Sequence, residues 1–412
     1  MFSTDKKVVY VTRDAERALG IAPGENYLVV ARAGNGTPHL LELEETKRII
    51  NDNDAAVLVF KNNQLIEDIC KTNGWRLLNP SAALAEKIEN KITQVEWLGD
   101  LASKYLPTHR VAPTRDLVFG GRMLRSDLSK QSNGGRTTRS NLGKSGSASA
   151  KKVIQWAHGH TGDGTVLINS ENELRALQAK FPDRMARMTD FVAGPSFTVN
   201  VVVSKDKILV GNISYQITGM PPFTDNPFST VGNDWSAAST LLSESEIEFI
   251  AQMACDIGEK MRVDGWRGLF GIDVMKDEEL NKIFLIEINA RQPASTTYES
   301  QLQKSLEPTG ISVFEAHLSA LLGKQVNQPL TQINDGAQII QRVTKNVRSV
   351  PDDMIGSLEL AGYKTIAYPN AGSNSDLIRI QSAKGIIENH GKLNGRGKEI
   401  VGILERKTPD KK

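Results

Sequence analysis

The chain has 412 residues and a mass of 45.2 kDa, with 50 Lys+Arg against 48 Asp+Glu and a formal charge of +2. That length points to two or three domains, and so even a charge balance argues against a dedicated nucleic-acid binder, which needs a concentrated basic face. Cys70 and Cys255 are too few for a disulfide framework or a Cys-rich zinc site; the absence of an apolar run of secretory or membrane-spanning length makes a cytoplasmic protein the expectation.

Residues 1–80 alternate short apolar runs with amphipathic ones. Val8 to Val11, Tyr27 to Ala31, Ala56 to Phe60 and Trp75 to Leu78 read as strands. Glu44 to Asn51 and Asn63 to Lys71 read as helices, so a parallel sheet with helical crossovers is expected. No G-x-G-x-x-G follows the first strand, which removes the dinucleotide fingerprint. Residues 81–106 read as mainly helical, with Leu84, Ile88, Ile92, Val95 and Leu98 on one stripe, ended by Pro107.

Residues 126–152 are basic and poor in apolar side chains, and read as a mobile loop. Gly143-Lys144-Ser145 within them resembles the end of a P-loop, but Thr138 stands where the first glycine is required. Order returns at Val153 to Trp156 and Val166 to Ile168, two strands around the glycine-rich turn 158–164. Ser170 and Glu173 read as a capping box opening a helix to about Phe181. Phe197 to Val203 and Ile208 to Ile213 read as strands, and 218–235 as a Pro-rich loop. Ser243 and Glu246 cap a long helix carrying Ile247, Ile250, Met253, Ala254, Ile257 and Met261 at helical spacing. Cys255 reads as a core residue of that helix.

The segment GWRGLFGIDVMKDEELNKIFLIEINARQPAST, residues 265–296, carries the most chemistry. Leu269 to Met275 and Ile283 to Asn289 are strand-like, with a polar turn centred near Leu280. Asp273 and Glu287 stand equally far from that centre, so a symmetric hairpin makes them cross-strand neighbours. Asn289 then shares their face, whereas Ile286 and Ile288 point the other way. Like charges opposed on a sheet are destabilising, and a cation between them removes the cost. Two carboxylates and an amide oxygen are hard ligands suited to Mg²⁺ (or Mn²⁺) that also touches phosphates. Arg291 falls on the same side if the strand stays extended and could hold an anion by bidentate bonds. The blander reading is a solvated polar face on an edge hairpin.

This D…E-x-N-x-R hairpin resembles that of the ATP-grasp superfamily. The preceding order of motifs is similar too: NPSAALAEKIENKI before Lys91, the strand–glycine turn–strand at 153–168, and MTDFVAGPSFTVNVVV at 188–203. The resemblance implies an α/β (α+β) ATP-grasp fold. It would comprise an N-terminal α/β pre-ATP-grasp domain (1–90), an ATP-grasp domain (91–325) with a lid subdomain at about 151–215, and a small C-terminal β-rich domain (326–412). It also implies that Asp273, Glu287 and Asn289 bind the metal. ATP would be held by Lys91, Gln155, Gly162, Gly164 and Thr165, and by Asp190, Phe191 and Val192 at adenine or ribose. Arg291 and Arg267 would act on the substrate carboxylate or acyl phosphate. One departure stands out: a lysine is usual in the family where this chain has Gln155.

The implied activity is an ATP-dependent carboxylate–amine ligase that passes through an acyl phosphate and releases ADP and phosphate. Its substrates would be small molecules, an acid and an amine such as an amino acid or peptide, with no nucleic acid or membrane partner; a homodimer is compatible with it. The alternatives are a biotin-carboxylase-like or purine-pathway enzyme, or a nucleotide-binding module without turnover. Carboxylases continue L-Q-V-E-H after the hairpin, whereas this chain reads Arg291-Gln-Pro-Ala-Ser295. No Gly-x-Ser-x-Gly elbow or nucleophilic cysteine context supports covalent hydrolase chemistry.

Overall fold

A computed structural model describes residues 6–119, 151–157, 164–370 and 372–406. The turn 158–163 with Gly162, and the basic run as far as residue 150, lie outside them. The N-terminal unit is a parallel sheet of β1 (Val8–Thr12), β2 (Tyr27–Ala31) and β3 (Ala56–Val59), in the order β2-β1-β3. Both faces of β1 are buried, which is why its sequence is an unbroken apolar run. Val9 and Val11 pack under helices carrying Leu41, Ile50 and Ile66, while Val8 and Tyr10 meet Phe314 and Leu318. The expected strand at Trp75–Leu78 is reduced to one parallel bridge from Leu77 to Val57.

The expected continuous helical stripe of 81–106 is instead three short helices, Ala82–Glu89, Thr93–Leu98 and Asp100–Tyr105. The first break falls at Asn90, whose side chain accepts from the Ile92 N–H at 2.9 Å. A side chain that bonds its own backbone in this way competes with the helix, and the break releases Lys91 from helical geometry.

A small sheet follows: β4 (His109–Pro113), β5 (Lys152–Trp156), β6 (Thr165–Ile168) and β7 (Met185–Asp190), in the order β4-β7-β5-β6. Period-two alternation divides its faces. Ile154, Trp156, Ala186 and Met188 pack with Leu174 of helix Glu171–Lys180. Val153, Gln155, Arg187 and Thr189 face the other way, into a cleft. Only half of the Ser170 capping box forms, because the Glu173 carboxylate takes the Asn169 N–H at 2.7 Å.

The largest sheet comprises β8 (Ser196–Val203), β9 (Ile208–Thr218), β10 (Thr230–Asp234), β11 (Gly268–Asp277), β12 (Lys282–Asn289), β13 (Ala337–Arg342), β14 (Lys364–Ala367) and β15 (Asp376–Ser382). Its order is β12-β11-β8-β9-β10-β13-β15-β14, so strands after residue 326 continue the sheet begun by β8. The expected lid range, 151–215, therefore straddles two sheets. β10 lies inside the segment read as a Pro-rich loop. One face of the large sheet is covered by helix Glu244–Val263, whose full capping box forms at Ser243 and Glu246. Cys255 on that helix is half-buried rather than core.

Helix Val313–Leu321 is wedged between the large sheet and the N-terminal sheet and is buried nearly all round. Burial pushes its His317 down to about 3, leaving a neutral ring whose Nδ1 accepts from the Leu269 N–H at 2.9 Å. No helix among the described residues is long and apolar enough to cross a membrane.

Glu299, at the buried end of helix Thr296–Leu306, accepts from the Asn212 backbone at 2.8 Å and from Asn200 Nδ2 at 2.5 Å. Burial outweighs these bonds and pushes its carboxyl up to about 7, from an ordinary value near 4.5. The stability held by the protonated form is complete below the unfolded value and is lost as pH rises through the folded one. Glu299→Gln keeps the group neutral. In urea unfolding, the wild type is expected to lose on the order of 3 kcal/mol between about pH 4 and pH 8 that the variant retains. Equal slopes for the two proteins would refute the assignment.

Candidate functional site

The inner face of the small sheet and the β8–β12 edge of the large sheet enclose a cleft of about 360 Å³. Its floor is the β11–β12 hairpin. Near the turn the register is simple, pairing Lys276 with Ile283 and Val274 with Leu285. Continued unchanged, it would set Asp273 opposite Ile286. A β-bulge intervenes at Ile286, and Asp273 instead faces Glu287. Bulges re-aim side chains in this way. The same bulge corrects one expectation: Leu285 and Ile288 enter the core, whereas Ile286 lines the cleft beside Glu287.

Asp273 accepts from Gln216 Nε2 at 2.9 Å and from Asn289 Nδ2 at 3.0 Å. Glu287 forms an ion pair with Lys91, which is 5% exposed. Burial, with Glu287 opposite, pushes the Asp273 carboxyl above its ordinary range. Burial also opposes ionisation of Glu287, but Lys91, aided by Arg291 and Arg187, draws that carboxyl below its range. Burial pulls the Lys91 ammonium down against the attraction of Glu287. One ammonium thus serves two facing carboxylates. With the Asn289 amide oxygen, this donor set suits a hard divalent ion that keeps positions for water or phosphate oxygens. Among the described residues no group of three His, Cys, Asp or Glu side chains forms a closed metal cage.

Arg187 pairs across the small sheet with Gln155 and is 1% exposed. Its Nη2 donates to Gln155 Oε1 at 2.6 Å and to the bulged Ile286 carbonyl at 2.9 Å; Nη1 donates to Gln94 Oε1 at 3.0 Å. One side chain thus links the small sheet, helix Thr93–Leu98 and the hairpin beside Glu287.

Gln155, Thr165, Asp190, Phe191, Val192, Asp273 and Glu287 all line the cleft. Gly164 closes the β5–β6 turn at φ +86°, its carbonyl accepting from the Trp156 N–H. Asp190 is ion-paired with Lys152. Gly194 lets the chain after this segment approach β11, for a Cβ there would lie 2.1 Å from the Lys276 carbonyl oxygen.

Two expected residues are not among those lining this cleft, although the Arg291 charge still reaches Glu287. The chain does not stay extended past Asn289, and Arg291 turns to Glu89 at 3.0 Å, near the Phe60 ring. Arg267 bonds the carbonyls of Trp266 and Arg262 at the end of helix Glu244–Val263, well away from the cleft. Sequence reasoning missed Gln216 and Arg187. For Arg187 a signal existed, a lone charge between apolar neighbours in the strand pattern MARMT. A larger open groove of about 860 Å³ lies among Lys104, His109, Phe249 and Lys282. Its only acidic side chain among the described residues, Glu246, is neutralised by Lys276, so the smaller cleft is the chemical site.

Residues 138–295 match the family model of the ATP-grasp domain. Solved structures extend the likeness to nearly the whole chain. Carboxyaminoimidazole ribonucleotide synthase from Aspergillus clavatus is 15% identical, with TM-score 0.63, over 97% of this chain and 99% of that one. An L-amino acid ligase from Bacillus licheniformis is 12% identical, with TM-score 0.59, over 97% of each chain. The biotin carboxylase domain of Hydrogenobacter thermophilus 2-oxoglutarate carboxylase is 12% identical, with TM-score 0.58, over 92% and 86%. No curated protein matches the sequence. The chain has the ATP-grasp fold.

Lys91→Met removes one partner of a buried pair, which costs about 3 kcal/mol. Millimolar Mg²⁺ is expected to raise the melting temperature of this variant more than that of the wild type, because the ion replaces the lost charge. Equal shifts in differential scanning fluorimetry would show that the carboxylates do not take a divalent ion.

Proposed function

We propose that the protein is an ATP-dependent ligase that joins a carboxylate to an amine as an amide or peptide bond. The observation that carries this reading is the register-paired Asp273 and Glu287 lining a cleft between two sheets, with Asn289 bonded to the one and Lys91 to the other. Asp273, Glu287 and Asn289 would hold Mg²⁺, which when bound supplies charge stabilisation to the phosphates. Lys91 then exchanges Glu287 for phosphate oxygens. The Asp190–Val192 segment lies along the nucleotide base or ribose, and the small sheet serves as the lid that keeps water from the reactive acid.

A substrate carboxylate oxygen attacks the γ-phosphorus, the bond to the β,γ-bridging oxygen breaks, and ADP leaves. The amine then attacks the acyl carbon, phosphate departs, and the amine proton passes to solvent. The work of the protein is positioning and charge stabilisation. A polar ladder on the sheet face carries the chemistry outward: Gln216 beside Asp273, then Asn233, Gln338 and the buried Arg379.

A second reading, a purine-pathway or biotin-carboxylase-like enzyme, is favoured by the end-to-end match with the ribonucleotide synthase. A module that binds nucleotide without turnover is favoured by the uncharged Gln155. Mass spectrometry of products from ATP, Mg²⁺ and pooled acids, amino acids and short peptides separates these. An amide product with stoichiometric ADP supports the ligase; ADP formed only with bicarbonate supports the second reading; tight nucleotide binding without ADP release supports the third. Glu287→Gln is expected to cut ADP formation at least about 100-fold and, because it leaves Lys91 buried without its partner, to cost about 3 kcal/mol of stability, so activity is compared at a temperature where circular dichroism shows both proteins folded. A wild-type rate would overturn the metal assignment.

A further inference from the structure

Arg187 is a buried cation that feels the Glu287 carboxylate only at a distance. Among the described residues no Asp or Glu oxygen lies within ion-pair distance of its guanidinium. The four hydrogen bonds it makes all end on neutral oxygens: two on Gln155, one on Gln94 and one on the Ile286 carbonyl. Of its five N–H donors one, on Nη1, remains uncommitted. Neutral oxygens fix the orientation of a guanidinium without cancelling its charge, an arrangement that costs desolvation unless an anion completes it. The side chain lines the same cleft as Asp273 and Glu287.

Charge arithmetic gives the class of anion. Arg187, Lys91 and Lys152 balance Asp273, Glu287 and Asp190 around the cleft. Lys91 and Lys152 stand outside the lining, each paired with one of its carboxylates; with both counted, a divalent ion on Asp273 and Glu287 would leave a surplus of two positive charges, which suits a polyphosphate.

We propose that Arg187 supplies the fixed positive charge that binds the phosphate groups of the nucleotide, held ready by Gln155, Gln94 and the bulged Ile286 carbonyl. This rests on reading the cleft as a nucleotide site. It assigns the lid's phosphate-binding charge to β7, where position 155 on β5 carries none. Because the same guanidinium grips the residue next to Glu287, phosphate binding and the carboxylate pair are joined through one side chain.

The test is calorimetric binding of MgADP and of adenosine, which lacks phosphate, to the full chain. Arg187→Met is expected to weaken MgADP at least about tenfold while changing adenosine affinity less than about twofold. A Gln155→Lys/Arg187→Met double variant, which moves the charge across the strand pair, is expected to recover part of the MgADP affinity. Parallel loss of both ligands would assign Arg187 a structural role and overturn the proposal, as would unchanged MgADP binding. If Arg187→Met does not fold, Arg187→Lys carries the test: it should keep the preference for MgADP over adenosine within about threefold, and losing that preference with charge intact refutes a charge-based role. Failure of the wild type to bind MgADP would instead overturn the nucleotide-site reading itself.

Discussion

Two carboxylates set opposite each other on adjacent strands repel, and much of the surrounding architecture answers that repulsion. Asp273 and Glu287 are too enclosed for water to screen them fully. Lys91 is brought to Glu287, Gln216 and Asn289 donate to Asp273, and Arg187 stands behind the bulge. Each neighbour comes from a different part of the chain. The pair therefore ties together the break after helix Ala82–Glu89, the central sheet and the small sheet. Concentrated negative charge of this kind is stable only where cations are supplied, and a polyphosphate with its metal ion meets the same need from the ligand side.

The bulge at Ile286 makes the pairing. One extra residue in β12 turns Glu287 toward Asp273 and leaves Ile286 without a residue opposite it on β11, its carbonyl accepting from Arg187. An unpaired buried carbonyl is costly, and Arg187 satisfies it. The lid strand and the metal-type hairpin are thus linked by a backbone defect in one and a buried charge in the other. A regular hairpin would place an isoleucine opposite Asp273 and offer Arg187 nothing to hold.

Much of this was legible in the primary structure. The strands of the N-terminal unit, the Ser243–Glu246 cap and its long helix, and the facing of Asp273 and Glu287 all follow from patterns spanning a few residues. The facing was reached for a partly mistaken reason, since symmetry about Leu280 holds only because the bulge offsets a turn centred half a residue earlier. Strands β4 and β10 were not legible: each is short, follows a proline closely, and is stabilised by pairing with a distant partner. The helical character of 81–106 was legible but its breaks were not, because Asn90 caps locally where its side chain could equally have pointed to solvent. The direction of Arg291 was not legible because nothing local announces that the chain bends after Asn289.

Sequence alone determined the kinds of residue available: two carboxylates and an amide two residues beyond on one hairpin, a lysine after a helix, a glycine turn between strands. Period and turn chemistry act over a few residues and can be read without coordinates. Tertiary structure decided which charges meet. It drew Lys91 onto Glu287, paired Arg291 with Glu89, and put Arg187 against Gln155. Electrostatic partnership depends on distance and burial in three dimensions, and those are set by how separate sheets close on one another.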